Sequence, residues 1–416
     1  MMNQSTADSA GAQIAPLPRI SIQAFCETPD LASAIQNAVS DRRMIKTQVK
    51  VNMGGAPAAV EAYRSAPTPN MIVIEFSNDR NALLEQLDHL SESCDAGTKV
   101  VVAGKVNDII LYRELMARGV SEYLVAPYTV VDFIRSVSNL YHAPGATAVG
   151  RVIAVIGAKG GAGSSIISHN IAWSIARSLE SATVLMDMDL AFGTAGLDFN
   201  QDPPQGIAEA VFAPDRLDAN LVDRLLSKCT DNLSLLAAPA VLDKNFDFDT
   251  AVFDNLIDIV RATTPNIVLD LPHAWSGWAR RMLVSADEVV IVASPDLASL
   301  RNTKNILDAM RVARVNDTRP KLILNNVGML KRPEISLADF AKAVDTEPCA
   351  VIPHDAKLFG TAANNGQMIA EVEAGSKIAE TFNELARLVT GRSAAAKAKK
   401  SNMLEPLLAR FARKKA

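Results

Sequence analysis

The stretch VIAVIGAKGGAGSSIISHNIAWSIA, Val152 to Ala176, constrains the fold more than any other part of the chain. An apolar run enters a loop of small residues, and a segment of helical periodicity follows, so the order is strand, glycine turn, helix. A loop of backbone N–H groups leading into a helix N-terminus is an anion site, because unpaired donors and the helix dipole both favour phosphate. Gly160, Gly161 and Gly163 permit the tight path. The usual phosphate loop, GxxxxGK[ST], has lysine just before its last hydroxyl residue, whereas this chain has Ser164 there and Ser165 after it. Taken alone, such a loop also fits a tight turn ahead of a buried helix.

The rest of the chain repeats the same alternation. From Arg19 to Tyr141 the runs ISIQAF, KTQVKVN, MIVIEF, KVVVAG and EYLVAP read as five strands separated by helical segments. From Arg151 the runs RVIAVIG, ATVLMDMD, LSLLAAP, NIVLDLP, EVVIVASP, KLILNNVG and CAVIP are near-continuously apolar, as in a parallel sheet covered on both faces. The expected class is α/β, with a flavodoxin-like βα domain followed by a larger, mostly parallel one. The expected boundaries are a disordered leader (1–18), a first domain (19–141), a Pro/Gly-marked linker (142–150), a second domain (151–392) and a basic tail (393–416).

Bulk properties narrow the function. The 416 residues suffice for two or three cores, and the net charge of −4 argues against a chain-wide nucleic-acid surface. Cys26, Cys94, Cys229 and Cys349 have no ligand spacing and read as reduced thiols of a cytosolic protein. His89, His142, His169, His273 and His354 form no ligand-spaced pair. The first residues lack a basic, apolar secretory pattern, and no apolar run approaches the length of about 18 residues that spans a bilayer.

The loop has companions. The strand TVLMDMD ends in Asp187 and Asp189, and NIVLDLP ends in Asp270, so carboxylates stand at strand carboxyl ends, where ligands of such sheets bind. Together, KGGAGSS, DMDLAFGTAGLDF, DLPHAW, LILNNVG and IPHDAKLFGTAANNGQMI resemble the ordered motifs of the MinD/ParA ATPases, whose deviant Walker A loop carries an extra lysine at its start. Lys159 matches that lysine. With the receiver-like first half, the loop GAKGGAGSS is similar to the CpaE/TadZ branch of that superfamily, which serves Flp (Tad) pilus assembly.

The resemblance implies ATP and Mg²⁺ as ligands and a nucleotide-dependent homodimer. Lys159 would reach the phosphates bound to the opposite subunit, and Asp189 would orient the attacking water. Gly160, Gly161, Ala162, Gly163, Ser164 and Ser165 would cradle the phosphates. Ser165 and Asp270 would hold the metal. Asn325 would bond adenine, with Pro353 and Asp355 near the base. Alternatives stand beside these roles: Asp187 as a cap after its strand, Asn325 as a turn residue, and Asp355 as a helix N-cap. Losing the loop lysine removes a charge-assisted contact of about 1.5–3 kcal/mol, or roughly ten- to a hundredfold in affinity, so the expected ATPase is slow or vestigial.

The first half resembles a response-regulator receiver domain without its chemistry. Glu75 occupies the phosphoacceptor strand end, Ala103 or Gly104 the hydroxyl position, and Ala126 the lysine position before Pro127, while Glu27 is either a remnant of the acidic pair or a solvated loop residue. A docking or dimerisation module is expected. In the tail, Leu404, Leu407, Leu408 and Phe411 share one helical face among Arg410, Arg413, Lys414 and Lys415, the pattern of a peripheral membrane helix or of a solvated basic tail. The implied protein is a localisation or assembly factor of a pilus machine, partnered by its secretion ATPase and inner-membrane platform, cytoplasmic or peripheral at the inner membrane or cell pole. The competing readings are a ParA-like DNA-partitioning ATPase, for which the mild acidity offers no basic face, and a dinucleotide enzyme, for which the third glycine of GxGxxG is replaced by Ile166.

Overall fold

The computed structural model describes residues 14–77, 80–95, 97–141, 149–203, 205–239 and 250–392. Most of the leader and of the linker, and all of the basic tail, lie outside the described residues. The chain divides into two compact units. One comprises residues up to Val149 with Trp275–Asp287 and Thr303–Pro320, and the other comprises Gly150–Ala274, Glu288–Asn302 and the chain from Lys321 on.

The first unit is built on strands β1 (Ser21–Cys26), β2 (Gln48–Met53), β3 (Met71–Glu75), β4 (Lys99–Gly104) and β5 (Glu122–Val125). All neighbours are parallel in the order β2-β1-β3-β4-β5. Because successive strand residues face opposite ways, Ile22, Ala24, Met71 and Val73 pack with helices Pro29–Val39 and Val130–Tyr141. Phe25, Ile72, Ile74 and Val102 pack on the other face with helices Gly55–Tyr63, Arg80–Ser91 and Ile109–Ala117. Strand β3 is buried along its whole length, including Glu75.

This unit also holds a buried charge network. Arg42 Nε lies 2.6 Å from Asp317 and Nη1 3.2 Å from Asp287, while Arg43 pairs with Asp41 at 2.9 Å and also with Asp317. Arg314 reaches Asp317 at 3.2 Å and donates to the carbonyls of Leu283 and Ala286, closing the helix Gly277–Ser285. Burial works to raise the Asp317 carboxyl, but Arg42, Arg314 and Arg43 together hold it below the ordinary carboxylate range.

The second unit contains β6 (Arg151–Gly157), β7 (Thr183–Asp187), β8 (Ser227–Thr230), β9 (Leu233–Leu236), β10 (Asn266–Leu271), β11 (Glu288–Ala293), β12 (Lys321–Val327) and β13 (Ala350–Pro353). Their order is β13-β12-β11-β6-β10-β7-β9-β8. Every pairing is parallel except β8 with β9. Ile153, Val155, Val268 and Val290 of the central strands bury against helix Ser164–Ser178 through Ile167, Ile171 and Ile175, and against helix Lys377–Val389 through Phe382 and Leu385. The glycine loop therefore leaves the middle of the sheet at its carboxyl edge, between the ends of β11 and β10.

Candidate functional site

The loop from Ala158 to Gly163 is held by its carbonyls. Asn302 Nδ2 donates to Ala158 O at 2.8 Å, Asn325 Nδ2 to Ala162 O at 2.9 Å, and His273 Nδ1 to Gly157 O at 2.9 Å. With these oxygens engaged by neighbouring elements, the N–H groups of Gly160, Gly161, Gly163 and Ser164 find no acceptor among the described residues. A row of unpaired donors at a helix N-terminus is the arrangement that receives phosphate oxygens. Gly163 precedes the helix with φ of 86°, and a Cβ there would stand 2.5 Å from Asn325 Nδ2. Only glycine fits the position. A Cβ on Gly160 or Gly161 would meet nothing within 4 Å, which leaves the cradle open on its outer side.

The implied ligand residues keep unused capacity. Asn325 lies in β12, is 4% exposed, and has its Oδ1 buried without a hydrogen-bond partner. It is thus a strand residue with one hand on the loop and a free acceptor, not a turn residue. Asp270, 2% exposed at the end of β10, has Oδ1 likewise unpartnered. Ser165 stands in the first turn of the helix, next to Ser164. A nucleotide with Mg²⁺ fits this donor set: backbone N–H groups for phosphate, an orphan amide oxygen for an exocyclic amine, and a hydroxyl and a carboxylate for a hard cation. Pro353 closes β13, and Asp355 caps helix Ala356–Asn365 by accepting from Leu358 N at 2.9 Å.

The acidic residues divide their work. Asp187 is fully buried and accepts from the N–H groups of Asp189 at 3.2 Å and Ala195 at 3.0 Å, fixing the turn after β7. Its capping role is therefore the observed one. Burial, and after it the charge of Asp270, push the Asp187 carboxyl well above the usual range. Asp189 is half-buried and accepts from Phe192 N at 3.1 Å. Lys159 Nζ pairs with Asp296 of the same chain at 2.7 Å. Partial burial works to raise the Asp296 carboxyl, but the Lys159 ammonium and the Ser299 N–H hold it below the carboxylate norm.

The sequence reading passed over His169. Its ring is buried on helix Ser164–Ser178 between Asp198, 2.8 Å from Nδ1, and Asp270, 3.3 Å from Nε2. The second approach is an ion-pair distance without hydrogen-bond alignment, since Nε2 has no such partner. Burial alone would lower the imidazole, but the hydrogen bond of Asp198 and the charges of Asp270 and Asp198 raise it to about 10. The available clue was spacing: His169 falls one helical turn after Ser165, on the face turned to β10.

In the first unit, the Glu75 carboxylate accepts from the N–H groups of Glu27 and Thr28, each at 2.8 Å, and from the Thr28 hydroxyl at 2.6 Å. Glu27 accepts from Ser77 Oγ. The strand end that carries a phosphoacceptor in a receiver is here occupied by a side chain clasping the loop after β1.

A parallel sheet with a phosphate cradle at its central strand end defines a P-loop α/β protein. No family model matches the chain. The chain is 27% identical over 253 residues to the septum site-determining protein MinD of Helicobacter pylori, covering 58% of this chain and 90% of that protein. A ParA family ATPase from Chlorobium tepidum superposes with a TM-score of 0.53 at 25% identity, over 58% of this chain and 98% of its own. The pilus assembly protein CpaE of Caulobacter crescentus is 48% identical over 30% of this chain and 96% of its solved chain, with a TM-score of 0.30. The second unit has the fold of the MinD/ParA superfamily of ATPases.

Proposed function

We propose that the chain is an ATP-binding, nucleotide-dependent dimer that acts as a localisation and assembly factor for a Flp (Tad) pilus machine, with weak or vestigial hydrolysis. The observation that carries the nucleotide part is the cradle itself: three side chains hold carbonyls of the loop and of Gly157, while the N–H groups of Gly160, Gly161, Gly163 and Ser164 and the Oδ1 atoms of Asn325 and Asp270 have no partner among the described residues. Gly160, Gly161, Ala162, Gly163, Ser164 and Ser165 hold phosphate, Asn325 bonds adenine beside Pro353 and Asp355, and Ser165 and Asp270 hold Mg²⁺. The bound cation supplies the positive charge near the phosphates that Ser164 does not.

Dimerisation is supported by what surrounds the cradle. Phe192 and Leu197 after β7, Leu297 after β11 and Leu330 after β12 are 74%, 74%, 74% and 89% exposed, all along the sheet's carboxyl edge. Large apolar side chains ringing a polar site are a surface that associates. Lys159 sits on the same edge, and in the dimer it leaves Asp296 for the phosphates held by the partner, with Asp189 orienting water. The pilus assignment rests on the motifs of both halves and on the 48% identity to a pilus assembly protein. It brings the secretion ATPase and the inner-membrane platform as partners, and a place at the inner face of the membrane or the cell pole. Among the described residues no helix is long and apolar enough to cross a membrane; the membrane contact proposed here is that of the basic tail, on its sequence pattern of Leu404, Leu407, Leu408 and Phe411 among basic residues.

The test is sedimentation of the full chain with ATP, with ADP and without nucleotide, each with Mg²⁺. The expected result is a dimer with ATP and a monomer otherwise. Equal association in all three removes the proposal.

A further inference from the structure

We propose that His273 makes the terminal-phosphate contact that a loop lysine makes elsewhere, an inference that rests on the nucleotide-binding reading above. Ser164 stands in the lysine position, and its Oγ lies 3.0 Å from where a Cβ on Gly157 would be. The carbonyl of that same Gly157 holds His273 Nδ1 at 2.9 Å. The imidazole and the site of the missing lysine thus flank one residue at the mouth of the loop. His273 is exposed and lies on the segment leaving β10, three residues past Asp270. Lys159, the loop's own cation, is engaged with Asp296 at 2.7 Å and so does not fill the role within one chain.

Hydrogen-bond chemistry fixes the ring. A carbonyl oxygen only accepts, so Nδ1 carries the proton and Nε2 is the ring atom left for a ligand. An Nε2–H···O bond to a phosphate oxygen is charge-assisted through the anion. The competing role is purely mechanical: His273 as a third clamp on the loop, like Asn302 on Ala158 and Asn325 on Ala162.

His273→Asn separates the two roles, because the asparagine amide stands where Nδ1 does and keeps the donor to Gly157 while removing Nε2. Binding of the N-methylanthraniloyl derivatives of ATP and AMP is titrated on the full chain with Mg²⁺, for wild type, His273→Asn, Ser164→Lys and the double variant. The expected result is about a tenfold loss for the ATP derivative in His273→Asn, no change for the AMP derivative, and a smaller loss when His273→Asn is made in the Ser164→Lys background. Equal losses for both nucleotides assign His273 to loop mechanics and overturn the proposal, as does unchanged ATP affinity in His273→Asn when the wild type binds. If the wild-type chain binds neither derivative, the nucleotide reading itself fails, and this inference with it.

Discussion

In the proposed dimer the Lys159–Asp296 pair would set a measurable threshold for association. If Lys159 serves the partner's nucleotide, each protomer must first break a 2.7 Å ion pair whose side chains are 35% and 22% exposed. Such partly solvated pairs contribute about 0.5–1 kcal/mol after screening, and two are broken per dimer, giving roughly 1–2 kcal/mol against association. Asp296→Asn removes the charge but keeps an acceptor for Ser299 N, which Asp296 Oδ1 receives at 2.9 Å, so the start of helix Leu297–Ala313 stays capped. The dimer dissociation constant in ATP and Mg²⁺ should therefore tighten by about 5- to 30-fold. Without nucleotide it should not move, because a freed lysine then has no phosphate to reach. Analytical ultracentrifugation over a concentration series reads both constants. An unchanged or weaker ATP dimer, or equal tightening with and without ATP, refutes the reasoning.

Two further outcomes follow from the packing. Gly163→Ala forces a residue at φ 86° and drives its Cβ to 2.5 Å from Asn325 Nδ2, so it should cost about 1–3 kcal/mol of stability and displace Asn325 from Ala162; calorimetry and ATP-derivative titration together should show a lowered Tm and lost binding. Asp317→Ala removes the buried carboxylate that Arg42, Arg43 and Arg314 share, leaving three guanidinium groups to the two carboxylates Asp287 and Asp41, and should cost about 3–5 kcal/mol in denaturant unfolding. Because the Asp317 carboxyl is depressed on folding, its contribution is present above the unfolded carboxylate value, about 3.9, and is lost as pH falls through the lower folded one. The wild type should therefore lose stability with acid below about pH 4 more steeply than Asp317→Ala.

The strands and the loop were legible because their signals are local. Runs such as MIVIE and EVVIVA carry enough apolar residues to announce buried parallel strands, and glycines announce the turn before Ser164. Strand β8 was not legible: SKCT is short, half-exposed and antiparallel at the sheet edge, with no alternation to read. The His169, Asp198 and Asp270 cluster escaped for another reason. Its members come from a helix, the turn after β7 and the end of β10, and only the order β6-β10-β7 brings them together. The clamp of Asn325 on Ala162 was not legible either, since a side-chain bond across 163 positions leaves no trace in local pattern.

The balance of charge around the cradle gives the site its character. Asp187 and Asp270 stand at the ends of strands β7 and β10, His169 is buried between Asp198 and Asp270, and Lys159 is held by Asp296. On the proposed reading a polyphosphate would be received chiefly by peptide dipoles and a helix N-terminus, which bind an anion at a fixed place but add no mobile charge. Binding of this kind survives the loss of a loop lysine better than catalysis does, because the transition state asks for more positive charge than the ground state. The groups that could meet that demand are a bound metal, His273, or Lys159 once a second protomer draws it away from Asp296. On this reasoning any turnover should rise with dimer occupancy, and Lys159→Ala should lower it more than it lowers ATP binding by the monomer.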